Sequence, residues 1–162
     1  MTSKKQAVKD LLDGLDIAYR WVDHEPVYTV EEAAALVEDK YPIKNLLLKE
    51  KKGHYYLVIM SGATSLDIKN LAGRLASKRL SFASKEDMER LLNVTPGAVS
   101  LFGLMNDNDN QVQLVIEAKL LEVDELGFHP NENTSTVFIS TGDIDKIFIG
   151  ISHSAVIMSD ID

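Results

Sequence analysis

Two apolar segments joined by a basic turn place the strongest constraint on how this chain can fold. Residues 45–49 and 55–60 are mainly apolar, and the sequence between them, Glu50-Lys51-Lys52-Gly53, is typical of a turn. This pattern predicts an antiparallel β-hairpin. The fold therefore contains a sheet, and the other segments have to be arranged around it.

Helix and strand patterns follow one another irregularly along the rest of the chain. Apolar spacing and caps predict helices over residues 4–15 and 141–149, and helices that begin at Thr29, Asp67 and Ser84. Strands are predicted at residues 17–22, 80–83, 112–118, 135–140 and 155–158. Because helices and strands do not strictly alternate, the sequence predicts an α+β domain with a mixed sheet rather than a doubly wound fold.

Length and composition exclude several classes of protein. A chain of 162 residues predicts a single domain over 1–162, and 45% hydrophobic with 26% charged residues argues against disorder and coiled coil. The absence of cysteine excludes disulfides, zinc–thiolate sites, iron–sulfur clusters and thiol nucleophiles. No apolar run reaches the ~20 residues of a membrane span, and the N-terminal stretch has no signal-peptide core. We therefore expect a cytoplasmic protein with no membrane partner.

The charge is distributed unevenly. The whole chain carries a net charge of −8, which taken alone argues against a nucleic-acid partner. Residues 40–85, however, hold ten bases and two acids, a net of +8, whereas the remainder holds seven bases and 23 acids, a net of −16. This asymmetry indicates one face for an anionic partner, unless the lysines are simply solvated and scattered.

Common catalytic and metal-binding motifs are missing. The sequence has no P-loop, no Gly-x-Gly-x-x-Gly, no His-Glu-x-x-His and no Gly-x-Ser-x-Gly. The four histidines, His24, His54, His129 and His153, are too dispersed to predict a metal site. Residues 106–110 are predicted to form an exposed polar loop that lacks the ligand spacing of a calcium site. We expect neither a metal nor a cofactor.

Three short segments are candidates for a site. Lys44-Asn45 stands at the start of an apolar strand, where a partly desolvated lysine could hold an anion or a carbonyl oxygen. In the second segment, residues 95–100, Gly97 lets a ligand approach the backbone closely. The third, residues 127–134, places turn-forming and polar residues around Phe128 just before a strand. Each of them could also be a purely structural strand end or turn.

Taken together, these segments resemble the YbaK/prolyl-tRNA-synthetase-associated editing-domain family, and most closely its free-standing prolyl-tRNA deacylases of the ProXp-ala or PrdX-like group. The resemblance covers nearly the whole chain. It is carried by His24-Glu25-Pro26-Val27-Tyr28-Thr29, Lys44-Asn45-Leu46, Lys78-Arg79-Leu80-Ser81-Phe82-Ala83, Thr95-Pro96-Gly97, Phe102-Gly103-Leu104 and Gly127-Phe128-His129-Pro130-Asn131.

The resemblance implies a mixed, partly closed sheet or barrel surrounded by helices, and a set of site residues. Lys44, His129 and Gly97 match the catalytic positions of the family. The substrate-binding positions are Asn45, Ala98, Val99, Ser100, Leu101, Phe102, Gly127, Phe128 and Asn131. Two departures stand out: Leu101 replaces the proline of the family's Gly-x-x-x-Pro loop, and residues 61–65 lack the Lys-Arg pair that relatives tend to carry.

The implied reaction is hydrolysis of the ester in mischarged tRNA(Pro), with alanyl-tRNA(Pro) as the leading substrate. An aminoacyl ester is already activated, so positioning and oxyanion stabilisation suffice without cysteine or metal. The implied partners are the acceptor end of tRNA(Pro) and prolyl-tRNA synthetase. The candidate tRNA-binding cations are Lys49, Lys51, Lys52, Lys78 and Arg79. Two alternatives remain: a cysteinyl-tRNA(Pro) deacylase of the YbaK type, and a tRNA- or synthetase-binding module without catalysis.

Overall fold

The structure, a computed structural model, describes residues 3–27, 29–51 and 53–162. Within them the α-helices are Lys4–Gly14 (α1), Val30–Val37 (α2), Ile68–Arg74 (α3), Lys85–Leu92 (α4) and Ile144–Gly150 (α5). The strands are Tyr19–Asp23 (β1), Ile43–Glu50 (β2), Tyr55–Ser61 (β3), Leu80–Phe82 (β4), Val112–Glu117 (β5), Glu125–Phe128 (β6), Ser135–Ser140 (β7) and Ala155–Met158 (β8). Short 3₁₀ helices lie at Pro96–Ala98, Leu101–Asn106, Ala118–Glu122 and Thr141–Asp143.

The described strands form two sheets. The smaller sheet has the antiparallel order β1-β7-β6. The larger has the order β4-β2-β3-β5-β8, in which β2 pairs antiparallel with β3 and β4 while β5 pairs parallel with β3 and β8. The predicted α+β class with a mixed sheet is confirmed. The expected partial closure into a barrel is not seen, because the described strands divide between two separate sheets.

Local signals in the sequence account for most of the helix starts. The hydroxyls of Thr29 and Ser84 accept hydrogen bonds from backbone N–H groups three residues later, and the Asp67 carboxylate does the same at α3. Such caps satisfy donors that the first helical turn leaves free. The predicted helices and the β2–β3 hairpin are confirmed.

The larger sheet is buried on both faces because side chains of a strand alternate between them. One face, with Leu47, Leu57 and Ile59, packs against the smaller sheet and α1, α4 and α5. The opposite face, with Leu48, Val58 and Met60, packs against α3. This double burial explains why β2 and β3 have nearly continuous apolar sequences.

The first half of β2 has a free edge on the side away from β3. β4 pairs with β2 only from Leu48 to Glu50, whereas β3 pairs along the whole strand from Ile43. The edge beside residues 43–46 therefore lies open, and the candidate site is built around it. None of the helices in the described residues is long and apolar enough to cross a membrane.

Candidate active site

A cavity of about 390 Å³ opens beside the free edge of β2. Its walls are the start of β2, the inner face of α2, the 3₁₀ turn at Pro96–Ala98, and the β6–β7 region of the smaller sheet. It is lined by Val27, Thr29, Ala33, Ala34, Val37, Asp39, Pro42, Ile43, Lys44, Asn45, Leu46, Pro96, Gly97, Val99, Gly127, Phe128, His129 and Thr136. The three segments singled out in the sequence thus meet at one cavity.

Lys44 and Asn45 reach the cavity from opposite faces of β2. Neighbouring residues of a strand point to opposite faces, yet both line the cavity because it extends around the free edge. The backbone carbonyl of Leu47 accepts a hydrogen bond from Ala83 on this side of the strand. Since alternate residues direct their backbone groups to the same side, those of Asn45 and Ile43 point to the open edge.

The ammonium group of Lys44 is held by the loop that follows β3. Its Nζ donates a hydrogen bond to the backbone carbonyl of Thr64 at 2.8 Å. The buried Thr64 hydroxyl lies 2.9 and 3.0 Å from the two carboxylate oxygens of Glu117 and donates to this carboxylate. Glu117 also accepts from the backbone N–H of Ser61 at 2.9 Å, and Lys119 lies 3.5 Å from it.

Sheet register explains why these residues meet. Lys44 lies opposite Met60, and the next step of the β3–β5 register brings Glu117 alongside Met60. Lys44 and Glu117 therefore flank Met60 on the same face of the sheet, and Thr64 bridges them. The sequence analysis did not identify either Thr64 or Glu117 as a site residue. The one signal in the sequence that could have indicated a site residue is the acidic Glu117 at the end of the apolar strand β5.

Two histidine rings lie side by side at the cavity, with centroids 5.9 Å apart. Nδ1 of His129 donates to the backbone carbonyl of Ser135 at 2.9 Å, because a carbonyl can only accept. In the neutral ring Nε2 then carries a lone pair. Burial lowers the pKa of His129 from its ordinary 6.5, and the nearby His24 lowers it further, against the effect of the Ser135 hydrogen bond. His129 is thus a neutral acceptor at physiological pH.

His24 is fixed in the same tautomer as His129. Its Nδ1 donates to the Glu25 carbonyl at 2.8 Å, so its Nε2 accepts from the hydroxyl of Thr136, also at 2.8 Å. Thr136 lines the cavity and keeps its oxygen lone pairs for a ligand. His24 belonged to the motif that carried the resemblance, whereas Thr136 was not anticipated.

The cavity also contains acceptors that protein groups leave partly free. The amide oxygen of Asn45 is buried and has no hydrogen-bond partner among the described residues. A buried acceptor without a partner is costly unless water or a ligand pairs with it. Asp39 accepts from the backbone N–H of Tyr41 at 3.0 Å, and burial raises the pKa of its carboxyl. This side of the cavity therefore suits a ligand that donates hydrogen bonds.

Five predicted substrate-binding residues lie behind the cavity wall and do not line it: Ala98, Ser100, Leu101, Phe102 and Asn131. All are buried, and Ser100, Leu101 and Phe102 lie where the chain after Val99 turns into the core. Their role in substrate binding stays a prediction. Gly97, Val99, Gly127 and Phe128 do line the cavity, as do Lys44, Asn45 and His129.

The buried residues support the wall instead. The Ser100 hydroxyl donates to the backbone carbonyl of His129 at 2.6 Å, and Asn131 Nδ2 donates to the carbonyl of Phe102 at 3.2 Å. These bonds tie the loop after Gly97 to the loop that contains His129. Leu101, which replaces the expected proline, is the first residue of the 3₁₀ helix. A helix start tolerates either residue because its N–H needs no intrahelical partner.

The four predicted tRNA-binding cations that the structure describes do not line the cavity. Lys49 lies at the far end of β2, and its Nζ is 3.7 Å from a carboxylate oxygen of Asp87. Lys51, Lys78 and Arg79 are exposed, and Lys52 lies outside the described residues. No group of three or more residues that could hold a metal ion is found among the described residues.

Comparisons with known proteins agree on one family. The family model described as the aminoacyl-tRNA editing domain matches residues 24–147. The prolyl-tRNA editing protein ProX of Acetoanaerobium sticklandii is 40% identical over 146 residues, which cover 88% of this chain and 89% of that protein. Prolyl-tRNA synthetase associated domain-containing protein 1 of Danio rerio is 28% identical over 159 residues, 96% of this chain and 86% of that protein.

The fold is shared with solved structures. A crystal structure provisionally described as a trans-editing enzyme for prolyl-tRNA synthetase superposes with a TM-score of 0.74 and covers 99% of both chains. Its sequence is 17% identical, so this likeness concerns the fold alone.

Proposed function

The chain belongs to the aminoacyl-tRNA editing domain family and is an aminoacyl-tRNA deacylase, and we propose that it clears mischarged tRNA(Pro), with alanyl-tRNA(Pro) as the preferred substrate. The observation that carries this proposal is the meeting of Lys44, Asn45, Gly97 and His129 at one cavity of about 390 Å³. A cavity of this size accommodates a small aminoacyl ester.

Lys44 supplies positive charge at the ester. A lysine ammonium has three N–H donors, and the Thr64 carbonyl takes one of them. The other two can bind a phosphate of the terminal nucleotide or the ester carbonyl oxygen. Donors that are fixed before the reaction stabilise the oxyanion that develops when water attacks. Removal of one such donor typically lowers kcat by a factor of about 10²–10³.

His129 receives a hydrogen bond from the attacking water through Nε2. The water oxygen adds to the ester carbonyl carbon, the bond from that carbon to the ribose oxygen then breaks, and a proton ends on the ribose oxygen. The products are the free amino acid and uncharged tRNA. The unpaired oxygen of Asn45 is an acceptor for the amino group of the aminoacyl moiety.

The small side chain of alanine is the proposed basis for selecting alanyl-tRNA(Pro) over prolyl-tRNA(Pro). Discrimination by one methylene in an apolar pocket is worth only about 1–3 kcal/mol, so a synthetase site that admits proline also admits alanine. The part of the editing cavity that is lined by Gly97, Val99 and α2 is proposed to reject the larger proline ring by steric exclusion. Cysteinyl-tRNA(Pro) is the competing substrate, because its side chain is also small.

The basic segment is proposed to receive the acceptor end of the tRNA. Lys51, Lys78 and Arg79 are exposed and Lys49 is partly exposed, so together with Lys52 they offer charges to the phosphate backbone. Each phosphate contact releases counterions, so binding should weaken as salt rises. We also propose that the protein works in the cytoplasm, where tRNA is charged, with prolyl-tRNA synthetase as a partner.

A deacylation panel tests the proposal. Purified protein is incubated with alanyl-, cysteinyl- and prolyl-tRNA(Pro), and release of each amino acid is followed. We expect rapid release of alanine, slower release of cysteine and none of proline. A higher rate with cysteine would reassign the substrate, and tight tRNA binding with no turnover would leave a binding module.

A further inference from the structure

Phe82 presents an aromatic ring to solvent on the edge strand β4. It is 63% exposed, although it lies in a strand whose neighbour Leu80 is buried. An exposed phenylalanine on a sheet edge is costly to solubility and invites contact with another molecule. Within the described residues no side-chain partner accounts for its position.

The register of the sheet places Phe82 on the same side of the sheet as Lys44. Phe82 lies opposite Leu48, and directly opposed residues project to the same face. Lys44, Leu46 and Leu48 follow one another on that face of β2. Leu46, which lines the cavity, is the diagonal neighbour of Phe82, at roughly 7–8 Å between such positions. Phe82 itself does not line the cavity, but it lies next to a residue that does.

The surroundings of Phe82 are predominantly basic. Lys78 and Arg79 precede β4, Lys85 follows it, and all three are exposed. Ser81 lies opposite Lys49. Three acids are close in sequence or register: Glu50 lies opposite Leu80, and Glu86 and the buried Asp87 are in the first turn of α4. The four cations, Lys49 included, outnumber the three acids around the ring, and this surface complements a polyanion.

We propose that Phe82 is a stacking platform for an unpaired nucleotide at the 3′ end of the tRNA. Aromatic rings that are exposed among cations bind single-stranded nucleic acid by stacking, which any base can provide. The inference rests on the proposed function, because it takes the tRNA as the ligand. It adds a base contact next to the cavity, where the charges alone would hold only phosphates.

A protein partner fits this surface less well. None of the other four large exposed apolar residues of the described chain is on β4. Ile157 is on β8 at the opposite edge of the sheet, Ile149 is on α5, Leu36 is on α2, and Tyr41 precedes β2. Phe82 is therefore a single ring within a charged surface, whereas protein interfaces have an apolar core that is depleted in charge.

The test measures stacking directly with uncharged RNA. The probe is a tRNA(Pro) acceptor-stem hairpin with 2-aminopurine at one unpaired 3′ position, whose fluorescence falls when the base stacks. Phe82→Leu keeps apolar volume without an aromatic face, and Phe82→Trp keeps the face. Ile149→Ala, with an 80% exposed side chain on α5 outside the basic segment, is the control. Circular dichroism verifies that each variant is folded.

We expect Phe82→Leu to lose the quenching and to bind the hairpin roughly five- to hundredfold more weakly, with Phe82→Trp and Ile149→Ala close to wild type. In deacylation, Phe82→Leu should raise KM with little change in kcat.

Quenching and hairpin affinity equal to wild type in Phe82→Leu would overturn the inference, as would loss of self-association in that variant without any change in RNA binding. Because the hairpin carries no amino acid, wild-type protein that stacks the probe but releases no amino acid would refute the proposed function and leave this inference standing.

Discussion

The ammonium group of Lys44 donates a hydrogen bond to the backbone carbonyl of Thr64 at 2.8 Å, and the side chain of the same threonine donates to Glu117. A lysine on a strand end would otherwise sample many rotamers, at a cost of up to about 2 kcal/mol when it is fixed. Here the loop that follows β3 holds the Lys44 ammonium in place before any substrate binds. Such fixed donors are the physical basis of electrostatic preorganisation.

Lys44→Ala should abolish deacylation while the protein remains folded. We expect kcat/KM to fall by about a hundredfold or more, because the fixed donor is lost. The free energy of unfolding should change by about 1 kcal/mol, since one hydrogen bond at a half-exposed site is removed. Alanine release and urea unfolding measure the two effects. Lys146→Ala, an exposed lysine on α5 outside the basic segment, is the control, and full activity of Lys44→Ala would show that Lys44 is structural.

Thr64→Val should impair the reaction even though its carbonyl is retained. The variant removes the hydroxyl that anchors the loop to Glu117, so the Lys44 ammonium loses its fixed position. We expect kcat to fall about tenfold with KM less affected, and about 1–3 kcal/mol of stability to be lost, because the carboxylate loses a partner.

Thr64→Ser separates positioning from packing, because it keeps the hydroxyl and removes only the methyl group. Its kcat should stay near wild type. Ser65→Ala, at the exposed neighbouring position, is the control. A Thr64→Val enzyme with wild-type kcat would contradict a positioning role for this residue.

Local patterns in the sequence predicted the capped helices and the β2–β3 hairpin, because caps and turns involve residues a few positions apart. They missed β6, whose residues Gly127 and Phe128 lead into His129-Pro130 and have the composition of a turn. Pairing with β7, rather than intrinsic propensity, makes this segment a strand.

Contacts between distant residues could not be predicted in the same way. Thr64 and Glu117 are 53 positions apart and meet through the parallel β3–β5 pairing. Asp107 lies in the loop that was predicted to be exposed, but it is buried. Its carboxylate accepts from Nε2 of His153 at 2.9 Å and from the backbone N–H groups of Gln111 and Val112. Polar composition shows that a segment is irregular, and it does not show which carboxylate turns inward.

Gly127→Ala should destabilise the protein and distort the cavity. An added Cβ would lie 2.8 Å from the ring of Phe138 and 3.0 Å from the methyl group of Thr136. Overpacking of this kind lowers the free energy of unfolding by about 1–3 kcal/mol. Displacement of Thr136 would also disturb the hydrogen bond between its hydroxyl and Nε2 of His24. Thermal unfolding and alanine release should both decline.

Gly73→Ala is the matched control for that substitution. Gly73 lies in α3, and nothing lies within 4 Å of an added Cβ. Alanine stabilises a helix interior by up to about 1 kcal/mol relative to glycine, so this variant should be as stable as wild type or slightly more so. If Gly127→Ala matched it, the close packing at β6 would not limit the size of residue 127.

The titration of His129 should set the acid limb of the activity profile. The neutral ring accepts a hydrogen bond at Nε2 and the protonated ring cannot, so kcat/KM should fall as pH drops through the pKa of His129. Burial holds that pKa below 6.5, so the midpoint should lie below 6.5. Stability changes in the same direction. The unfolded chain binds the proton more readily, so the free energy of unfolding should fall as pH drops below 6.5 towards the lowered folded pKa.

His129→Gln should remove the acid limb of the activity profile along with most activity, whereas His54→Gln, at an exposed histidine outside the cavity, should keep that limb. Because every protein meets the same substrate, the substrate's own amino group cannot cause the difference. An unchanged acid limb in the residual activity of His129→Gln would assign the titration to another group.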